Sequence, residues 1–328
     1  MAPAGYVPGV STPATTTPRI APRWFQWLIF PFVLGSAVAA TLYLIDTGVP
    51  APSALLGPQV VAFAIVAVLE HVYPYHISWN RPRQDIFVDV RHGLVVAVTV
   101  GILTPAVLAG GVAGAGWLSS KFGSQLWPSD WPLLAQAALA LVVGELPGYA
   151  VHRLQHQWDG LWRFHATHHS APRLYWLNAG RFHAVDTLMT FVPSYGLLVL
   201  LGCGVDALAL FTLVTAIHGI FQHANLQLKL GPLNHFFSMA ELHRWHHSKT
   251  IEEANHNFGQ TVILWDTLLG TRYLPTDREP PEEIGIPGLP AFPMTWWGQV
   301  MSPFRWASIR AGGQLPSRPL ASTPTSSN

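Results

Sequence analysis

The chain has 328 residues, of which half are apolar and only 11% are charged, against about 25% in a typical soluble domain. Its formal net charge is +1, which excludes the strongly basic surface of a nucleic-acid-binding protein. The one cysteine, Cys203, excludes an intrachain disulfide and an iron–sulfur cluster held by this chain alone. The composition therefore favours a polytopic membrane protein without a nucleic-acid partner.

The first part of the chain predicts a tail followed by membrane helices. Residues 1–23 are rich in Pro, Thr and Ala and predict a disordered N-terminal tail. Four apolar runs follow, near residues 25–45, 54–72, 93–118 and 132–151. A helix needs about 20 apolar residues to cross the hydrocarbon core. We therefore predict a transmembrane region over residues 24–151.

The basic residues between these runs alternate from one connection to the next. They occur before the first run (Arg19), after the second (Arg81) and after the fourth (Arg153), whereas the third is followed only by Lys121. Because cytoplasmic loops carry an excess of Lys and Arg, this pattern places both termini in the cytoplasm. We expect an integral protein of the plasma (inner) membrane, with its histidine clusters facing the cytoplasm.

A fifth apolar stretch, residues 187–217, is expected to be broken by Pro193 and by the sequence Gly202-Cys203-Gly204. A histidine flanks this stretch on each side. A single span would separate the histidine clusters across the membrane. We therefore predict that the stretch forms a re-entrant helical hairpin that returns to the side on which it starts.

Histidine is the most informative residue type, because 13 of the 16 histidines lie between His152 and His256. Eight of them form three clusters: His152 and His156; His165, His168 and His169; and His243, His246 and His247. Imidazole is a common protein ligand of iron, copper, nickel and zinc. The clusters therefore predict a multi-histidine metal site.

The spacing within the clusters predicts how the rings are shared. Residues three or four apart on a helix lie on one face, so we expect His152 to pair with His156 and His165 with His168. His169 is rotated by about 100° from His168 and can reach a second ion. One ion rarely takes more than about six ligands, and this number of imidazoles therefore predicts two ions. Carboxylates are few in this region, which predicts a nitrogen-rich site.

The histidine motifs resemble those of the fatty acid hydroxylase/sterol desaturase superfamily. The resemblance rests on HRLQHQWDGLWRFHATHHS, NAGRFHAVD, FQHANL, LHRWHHSK and NFGQTVILWDTLLGT, in this order, and covers residues 144–273. It implies an all-α membrane enzyme with about four transmembrane helices, the hairpin and a cytosolic histidine-rich helical cap. It also implies a non-haem di-iron centre that uses O2 to oxidise an aliphatic C–H bond of a lipid, by hydroxylation or by desaturation.

The resemblance also implies roles for individual residues. The three clusters and His223 match the family's metal ligands, and His218 and His183 are further candidate ligands. In hydroxylases of the family a histidine lies four residues before His223, where this chain has Gly219. Three polar residues are expected to hydrogen-bond the ligand rings: Glu145, Asn225 and Asn255. Metal binding is the only role that we assign to the histidines, without a separate catalytic acid or base.

Cofactors and partners follow from this assignment. We expect two iron ions with O2 as co-substrate, and zinc as a substitute metal. The sequence has no haem-binding segment and no glycine-rich dinucleotide fingerprint. Electrons must then come from a cytochrome, ferredoxin or reductase partner, and the remaining partners are the lipid substrate and the surrounding membrane lipids.

Two other functions remain open at this point. A zinc-dependent membrane hydrolase would use the same imidazoles, although such enzymes typically hold zinc through three protein ligands beside a general base. A metal-binding or metal-transport membrane protein would need polar ligands within its spans.

The domain prediction ends with a histidine-box catalytic domain over residues 152–275, and an interfacial segment with a disordered tail over residues 276–328.

Overall fold

The computed structural model describes residues 19–123, 126–286 and 288–312. The predicted tails therefore lie largely outside the described residues, and only their inner ends can be examined. Within the described ranges the protein is helical, with isolated β-bridges and no strand. This agrees with the all-α prediction.

Six helices in these ranges are long and apolar enough to cross a membrane, so the protein is an integral membrane protein. They are α1 (Arg23–Asp46), α3 (Leu56–Val72, preceded by the single turn α2, Ala51–Ala54), α4 (Ile86–Phe122), α5 (Leu133–Gln157), α7 (Ala184–Leu201) and α8 (Val205–His223). The first four coincide with the four predicted runs. The other two are the arms of the predicted hairpin.

The shorter helices belong to the region between and after these spans. They are α6 (Asp159–His169), α9 (Ala240–His246), α10 (Ile251–Ala254), α11 (Leu264–Leu268), α12 (Trp296–Met301) and α13 (Trp306–Arg310). Four 3-10 segments join them: Ile77–Asn80, Trp176–Gly180, Gly231–His235 and Ser302–Arg305. Together they form a cap at one end of the bundle.

Several ends of the long helices meet at the capped end. The backbone N–H of Ala21, just before α1, donates to the side chain of Gln227, just after α8 (2.9 Å). The N–H of Tyr75, after α3, donates to the carbonyl of Asn225 (3.1 Å). The start of α1 and the ends of α3 and α8 therefore meet, in agreement with a histidine-bearing cap on one side.

The hairpin turns at Gly202, which has a left-handed backbone (φ +96°) and ends α7. Glycine adopts this conformation at no steric cost. Pro193 was expected to help break the stretch, but it lies inside α7 without ending it. Each arm has the length and hydropathy of a complete span, so the hairpin supplies two further candidate crossings rather than a shallow loop.

Helix α4 has 37 residues, about 55 Å at 1.5 Å per residue, and therefore extends beyond a hydrocarbon core of about 30 Å. Small residues allow it to approach α7 closely. A Cβ atom added to Gly111 would lie 2.6 Å from the side chain of Val199. The same holds for Gly114 and Leu200. These glycines allow van der Waals packing between the two helices, which drives helix association in membranes.

The C-terminal segment is tied into the cap, where we expected an interfacial segment. Gln299 of α12 is fully buried, and its side chain lies 2.9 Å from His92 Nε2 and donates to the Ser170 hydroxyl (3.1 Å). His92 is likewise buried. Trp306 also donates to Asp159 at the start of α6 (3.0 Å). This segment therefore holds the helix that carries the second histidine cluster.

Candidate metal centre

Nine histidine rings converge at the capped end in two groups. Group A contains five rings: His152, His156, His165, His169 and His246. Group B contains four rings: His168, His223, His243 and His247. Within each group the candidate ligand nitrogens all lie within 4.8 Å of one another. These are the nine histidines that the sequence singled out, now divided between two positions.

The division differs from the expected one. His165 was expected to share a site with His168, but it shares group A with His169, while His168 belongs to group B. In the last cluster His243 and His247 share group B, and His246 belongs to group A. Residues four apart on an α-helix differ by about 40° in direction, against about 60° for residues three apart. Each H-x-x-H-H cluster thus contributes its four-apart pair to one group and its middle histidine to the other.

The ring nitrogens of His152 and His246 provide a direct test for a metal. Nδ1 of each ring lies 2.7 Å from a backbone carbonyl, that of Phe258 for His152 and that of His256 for His246. Because a carbonyl oxygen only accepts, each neutral ring carries its proton on Nδ1 and a lone pair on Nε2. The two Nε2 atoms are 3.0 Å apart. Lone pairs this close repel each other unless a cation lies between them, so the pair fits a shared metal ion.

The other separations also fit metal binding. The Nε2 atoms of His223 and His243 are 2.9 Å apart, and those of His156 and His169 are 3.1 Å apart. A metal ion about 2.1 Å from its nitrogen ligands keeps ligands at right angles about 3.0 Å apart. His165 Nε2 is buried without a hydrogen-bond partner among the described residues. Both groups therefore have donor atoms spaced as ligands of one ion each.

Burial keeps several of these rings neutral. Five rings outside the spanning helices have pKa values well below the usual value of histidine: His168, His169, His243, His246 and His247. The largest cause in each is burial, which disfavours the imidazolium, and the neighbouring imidazoles lower the pKa further. Neutral imidazole is the form that binds metals, so these rings need not lose a proton to bind an ion.

Three further side chains orient ligand rings through their Nδ1 atoms. Asp186, in the first turn of α7, lies 2.9 Å from His165 Nδ1 and also accepts from Gln155 (2.7 Å). Asn178 Oδ1 lies 2.9 Å from His223 Nδ1. Asn255 Oδ1 lies 3.3 Å from His156 Nδ1, as expected from the sequence. No sequence motif had indicated a role for Asp186 or Asn178.

Two of the residues expected to bond ligand rings have different partners. Glu145 accepts hydrogen bonds from the backbone N–H groups of Gln260 and Thr261, and therefore fixes the segment that follows Phe258. Asn225 bonds the backbone of His76, accepting from its N–H (2.9 Å) and donating to its carbonyl (2.9 Å). The expectation was wrong for both because their contacts join distant backbone segments, which ring spacing on one helix does not reveal.

The two further candidate ligands lie outside both groups. The ring of His218 is fully buried beside the aromatic rings of Phe30 and Phe237, with both centroid distances 5.9 Å. His183 caps the start of α7, where its Nδ1 accepts from the N–H of Val185 (3.1 Å) and its Nε2 lies 3.2 Å from the carbonyl of Val300. Both nitrogens of His183 are therefore engaged in hydrogen bonds away from the two groups.

A cavity of about 530 Å³ runs from the histidines into the bundle. Five ligand candidates line its inner end: His152, His165, His168, His223 and His243. Away from the histidines its lining is mostly apolar or uncharged, with Val96 and Val100 of α4, Phe191 of α7 and Phe211 of α8. The site can therefore present a metal centre to a largely apolar molecule.

Comparison with known proteins gives the family. The profile of the family described as fatty acid hydroxylase matches residues 137–271. The ornithine lipid hydroxylase OlsE of Rhizobium tropici is 38% identical over 231 residues, which are 69% of this chain and 68% of that protein. The alkylglycerol monooxygenase of Xenopus tropicalis is 25% identical over 64% of this chain, and methylsterol monooxygenase 1 of Rattus norvegicus is 27% identical over 44%. The chain spans 46% and 51% of the length of these last two relatives.

Fold, site and sequence together define a membrane-bound oxidoreductase with a histidine-rich centre. The chain belongs to the fatty acid hydroxylase family, which confirms the resemblance given by its motifs. No solved structure matches the protein.

Proposed function

We propose that the protein is a non-haem di-iron oxygenase that hydroxylates an aliphatic C–H position of a membrane lipid, using O2 and external electrons. The observation that carries the proposal is the pair of unprotonated Nε2 atoms of His152 and His246, 3.0 Å apart in a buried group of five histidines. Group B, with four histidines, supports a second ion beside the first.

The donor set favours iron over zinc. Structural zinc is almost always bound by four ligands in a tetrahedral arrangement, and catalytic zinc keeps about three protein ligands. Group A offers five imidazoles, and the 3.0 Å separation of two of its nitrogens suits ligands at right angles rather than tetrahedral ones. Iron accepts more than four ligands and binds imidazole readily. Zinc remains the substitute expected in iron-poor conditions.

The residues of the chain hold the metals, orient the substrate and exclude water. Bound iron would supply the electron-transfer chemistry by which O2 is reduced and the C–H bond oxidised. Asp186 and Asn178 fix the rings of His165 and His223, so that their Nε2 atoms face the metal positions. The apolar lining of the cavity, with Val96, Val100 and Phe191, keeps bulk water away from the reacting carbon.

Hydroxylation is favoured over desaturation by the relatives, which are named hydroxylases and monooxygenases. The balanced reaction takes one lipid C–H bond, one O2, two electrons and two protons, and gives one C–OH group and one water. The chain has a single cysteine, Cys203, which is buried. We therefore propose that a separate cytochrome, ferredoxin or reductase supplies the electrons, and that the capped end faces the cytoplasm.

The alternative functions are less well supported by the site. A hydrolase needs a carboxylate or similar base free to activate water. The buried carboxylate nearest the rings, Asp186, is engaged by both His165 and Gln155. A transporter needs ligands along its spans, whereas the two histidine groups lie together at one end of the bundle.

Isotope labelling tests the proposed reaction. Membranes containing the iron-loaded protein would be supplied with a reductant system and ¹⁸O2, and the lipid extract analysed by mass spectrometry. We expect a lipid product that carries one ¹⁸O atom, absent from a His246→Ala variant. A product that has lost two hydrogens without ¹⁸O would establish desaturation instead, and an ¹⁸O label that appears only from H2¹⁸O would support hydrolysis.

A further inference from the structure

Five helices enclose the cavity in a ring that is closed by helix packing at every junction but one. Going round the ring, α3 packs against α8, α8 against α5, α5 against α7, and α7 against α4. No comparable packing joins α4 back to α3. The 3-10 segment Trp176–Gly180 packs against both α3 and α4. The ring of described spanning helices is therefore open between α3 and α4 except where this segment lies.

Residues on both edges of this gap also line the cavity. From α4 the lining takes Gly93, Ala97 and Val100, which lie on one face of the helix because they are four and three residues apart. From α3 it takes Gln59 and Phe63. Ala97 is exposed, and it is the only residue of the described lining that is. The mouth of the cavity therefore lies at Ala97, between α3 and α4.

One edge of the gap, on α4, carries small residues, and the other edge carries aromatic residues. A Cβ atom added to Gly93 or to Gly101 on α4 would meet no atom within 4 Å. Across the gap, the ring of Phe63 lies 6.3 Å from that of Trp176, which belongs to the 3-10 segment above the cavity. Gly93 lies against the 3-10 segment, since a Cβ atom added to Gly180 would be 3.3 Å from the Cα atom of Gly93. The small residues farther along α4, Ala97 and Gly101, leave the passage open, while Phe63 and Trp176 border it with apolar surface.

We propose that the gap between α3 and α4 is the lateral opening through which a membrane lipid reaches the metal centre, with Ala97 and Phe63 at its mouth. The occupant is a lipid because the outer faces of both helices carry exposed apolar side chains, such as Val60 on α3 (66% exposed) and Val98 on α4 (60% exposed). These faces meet hydrocarbon in a membrane, so the opening joins the lipid phase to the histidines. This inference rests on the proposed function and specifies the route of its substrate.

Photo-crosslinking of lipid to the metal-free protein tests the route independently of catalysis. The protein, in nanodiscs of phosphatidylethanolamine, would carry a small fraction of phosphatidylethanolamine with a diazirine in the acyl chain. After illumination, labelled peptides are mapped by mass spectrometry. We expect wild-type protein to be labelled inside the cavity on α3, α4 and α8, and labelling inside the cavity to be lost in Ala97→Trp, because indole fills the mouth.

Val98→Trp is the matched control, since it places the same bulk on the next residue of α4, facing away from the opening. We expect Val98→Trp to be labelled like wild type. In the iron-loaded enzyme, Ala97→Trp should lower kcat/KM for the lipid by about tenfold or more, with unchanged iron content. Equal labelling of the cavity in Ala97→Trp and wild type, or none in wild type, would overturn the proposed opening. Failure of the oxygenase proposal would leave the labelling pattern intact, so the two failures are distinguishable.

Gly219→Leu provides a second variant that does not depend on the mouth. Gly219 lines the cavity one turn before His223, and a Cβ atom added there would meet no atom within 4 Å. The leucine is therefore expected to occupy free space inside the cavity without disturbing the fold. Labelling should persist at the mouth in this variant and be lost deeper in the cavity, whereas unchanged deep labelling would contradict a path from Ala97 to the histidines.

Discussion

The two histidine groups both offer imidazole ligands, but they differ in the side chains that hydrogen-bond to those imidazoles. In group A, His165 is held by the carboxylate of Asp186, which is fully buried at the start of α7. In group B, His223 is held by the neutral amide of Asn178 at the same distance, 2.9 Å. Group A also has five rings against four in group B. We therefore expect the ion in group A to be bound more tightly and the ion in group B to be more open to ligands.

This difference shows how one helical motif can build two unlike sites. Each H-x-x-H-H cluster supplies both groups, so ring identity alone does not distinguish them. The distinction comes from α7 and from the 3-10 segment Trp176–Gly180, which carry Asp186 to His165 and Asn178 to His223. A charged hydrogen bond to a ligand is roughly twice as strong as a neutral one, which makes the asymmetry energetic as well as geometric.

Removing one ligand from each group should have the largest effect. We expect His246→Ala, in group A, and His243→Ala, in group B, each to lower iron from about two ions per chain to about one and to abolish turnover, because each group provides ligands for one ion. Iron per chain is measured by plasma mass spectrometry on detergent-purified protein. His235→Ala is the control, since His235 is exposed and outside both groups. Loss of both ions from one variant would mean that the groups do not bind independently.

Removing the charge of Asp186, the carboxylate that hydrogen-bonds to His165 of group A, should have the second-largest effect on metal binding. Asp186→Asn preserves the shape of the side chain but removes its charge, so we expect the affinity for one of the two ions to fall by about 10- to 100-fold. The measurement is iron retained during dialysis against graded chelator, together with the ligand-field spectrum of the cobalt-substituted protein. A structural role alone would lower thermal stability without changing the spectrum of one ion.

Asp206→Asn is the matched control for this change. Asp206 lies in the first turn of α8, the other arm of the hairpin, as Asp186 lies in the first turn of α7. It has no contact with the histidine groups among its described hydrogen bonds, so we expect both ions to be retained. If Asp206→Asn and Asp186→Asn lose iron equally, the helix start and not the bond to His165 is responsible.

Much of the centre could be predicted from sequence because its ligands lie close together in short motifs. Eight of the nine rings and the hairpin needed only histidine spacing and apolar length, whereas His223 was predicted from the family resemblance. The partners behind the rings could not be predicted, since Asp186 and His165 are on different helices and meet only after α6 and α7 pack. The partners of His183 could not be predicted for the same reason: its nitrogens cap α7 and bond the carbonyl of Val300, which lies far away in the sequence.

A smaller effect is expected from the weakest of the ring contacts. Asn255 lies 3.3 Å from His156 Nδ1, longer than the 2.9 Å bond of Asp186, and it is neutral. We expect Asn255→Ala to weaken metal binding in group A by only a few-fold, measured by the same chelator competition. An effect as large as that of Asp186→Asn would show that charge is not what separates these contacts.

The smallest effect is expected at His218, the buried histidine that belongs to neither group. Its ring packs against Phe30 and Phe237, so His218→Leu keeps an apolar side chain in that space. We expect this variant to retain about two iron ions per chain and wild-type turnover, because the ring contributes no ligand. Loss of one ion would make His218 a metal ligand and would contradict the division of the ligand rings between the two groups.

The most direct test of the central claim is the metal content of wild-type protein purified from iron-replete cells, with Mössbauer spectra of ⁵⁷Fe-enriched samples. We predict about two iron ions per chain, with two distinguishable iron sites that reflect the carboxylate behind one group and the amide behind the other. A single tightly held zinc ion, with no iron retained, would contradict the account of two histidine groups that bind iron for lipid oxidation.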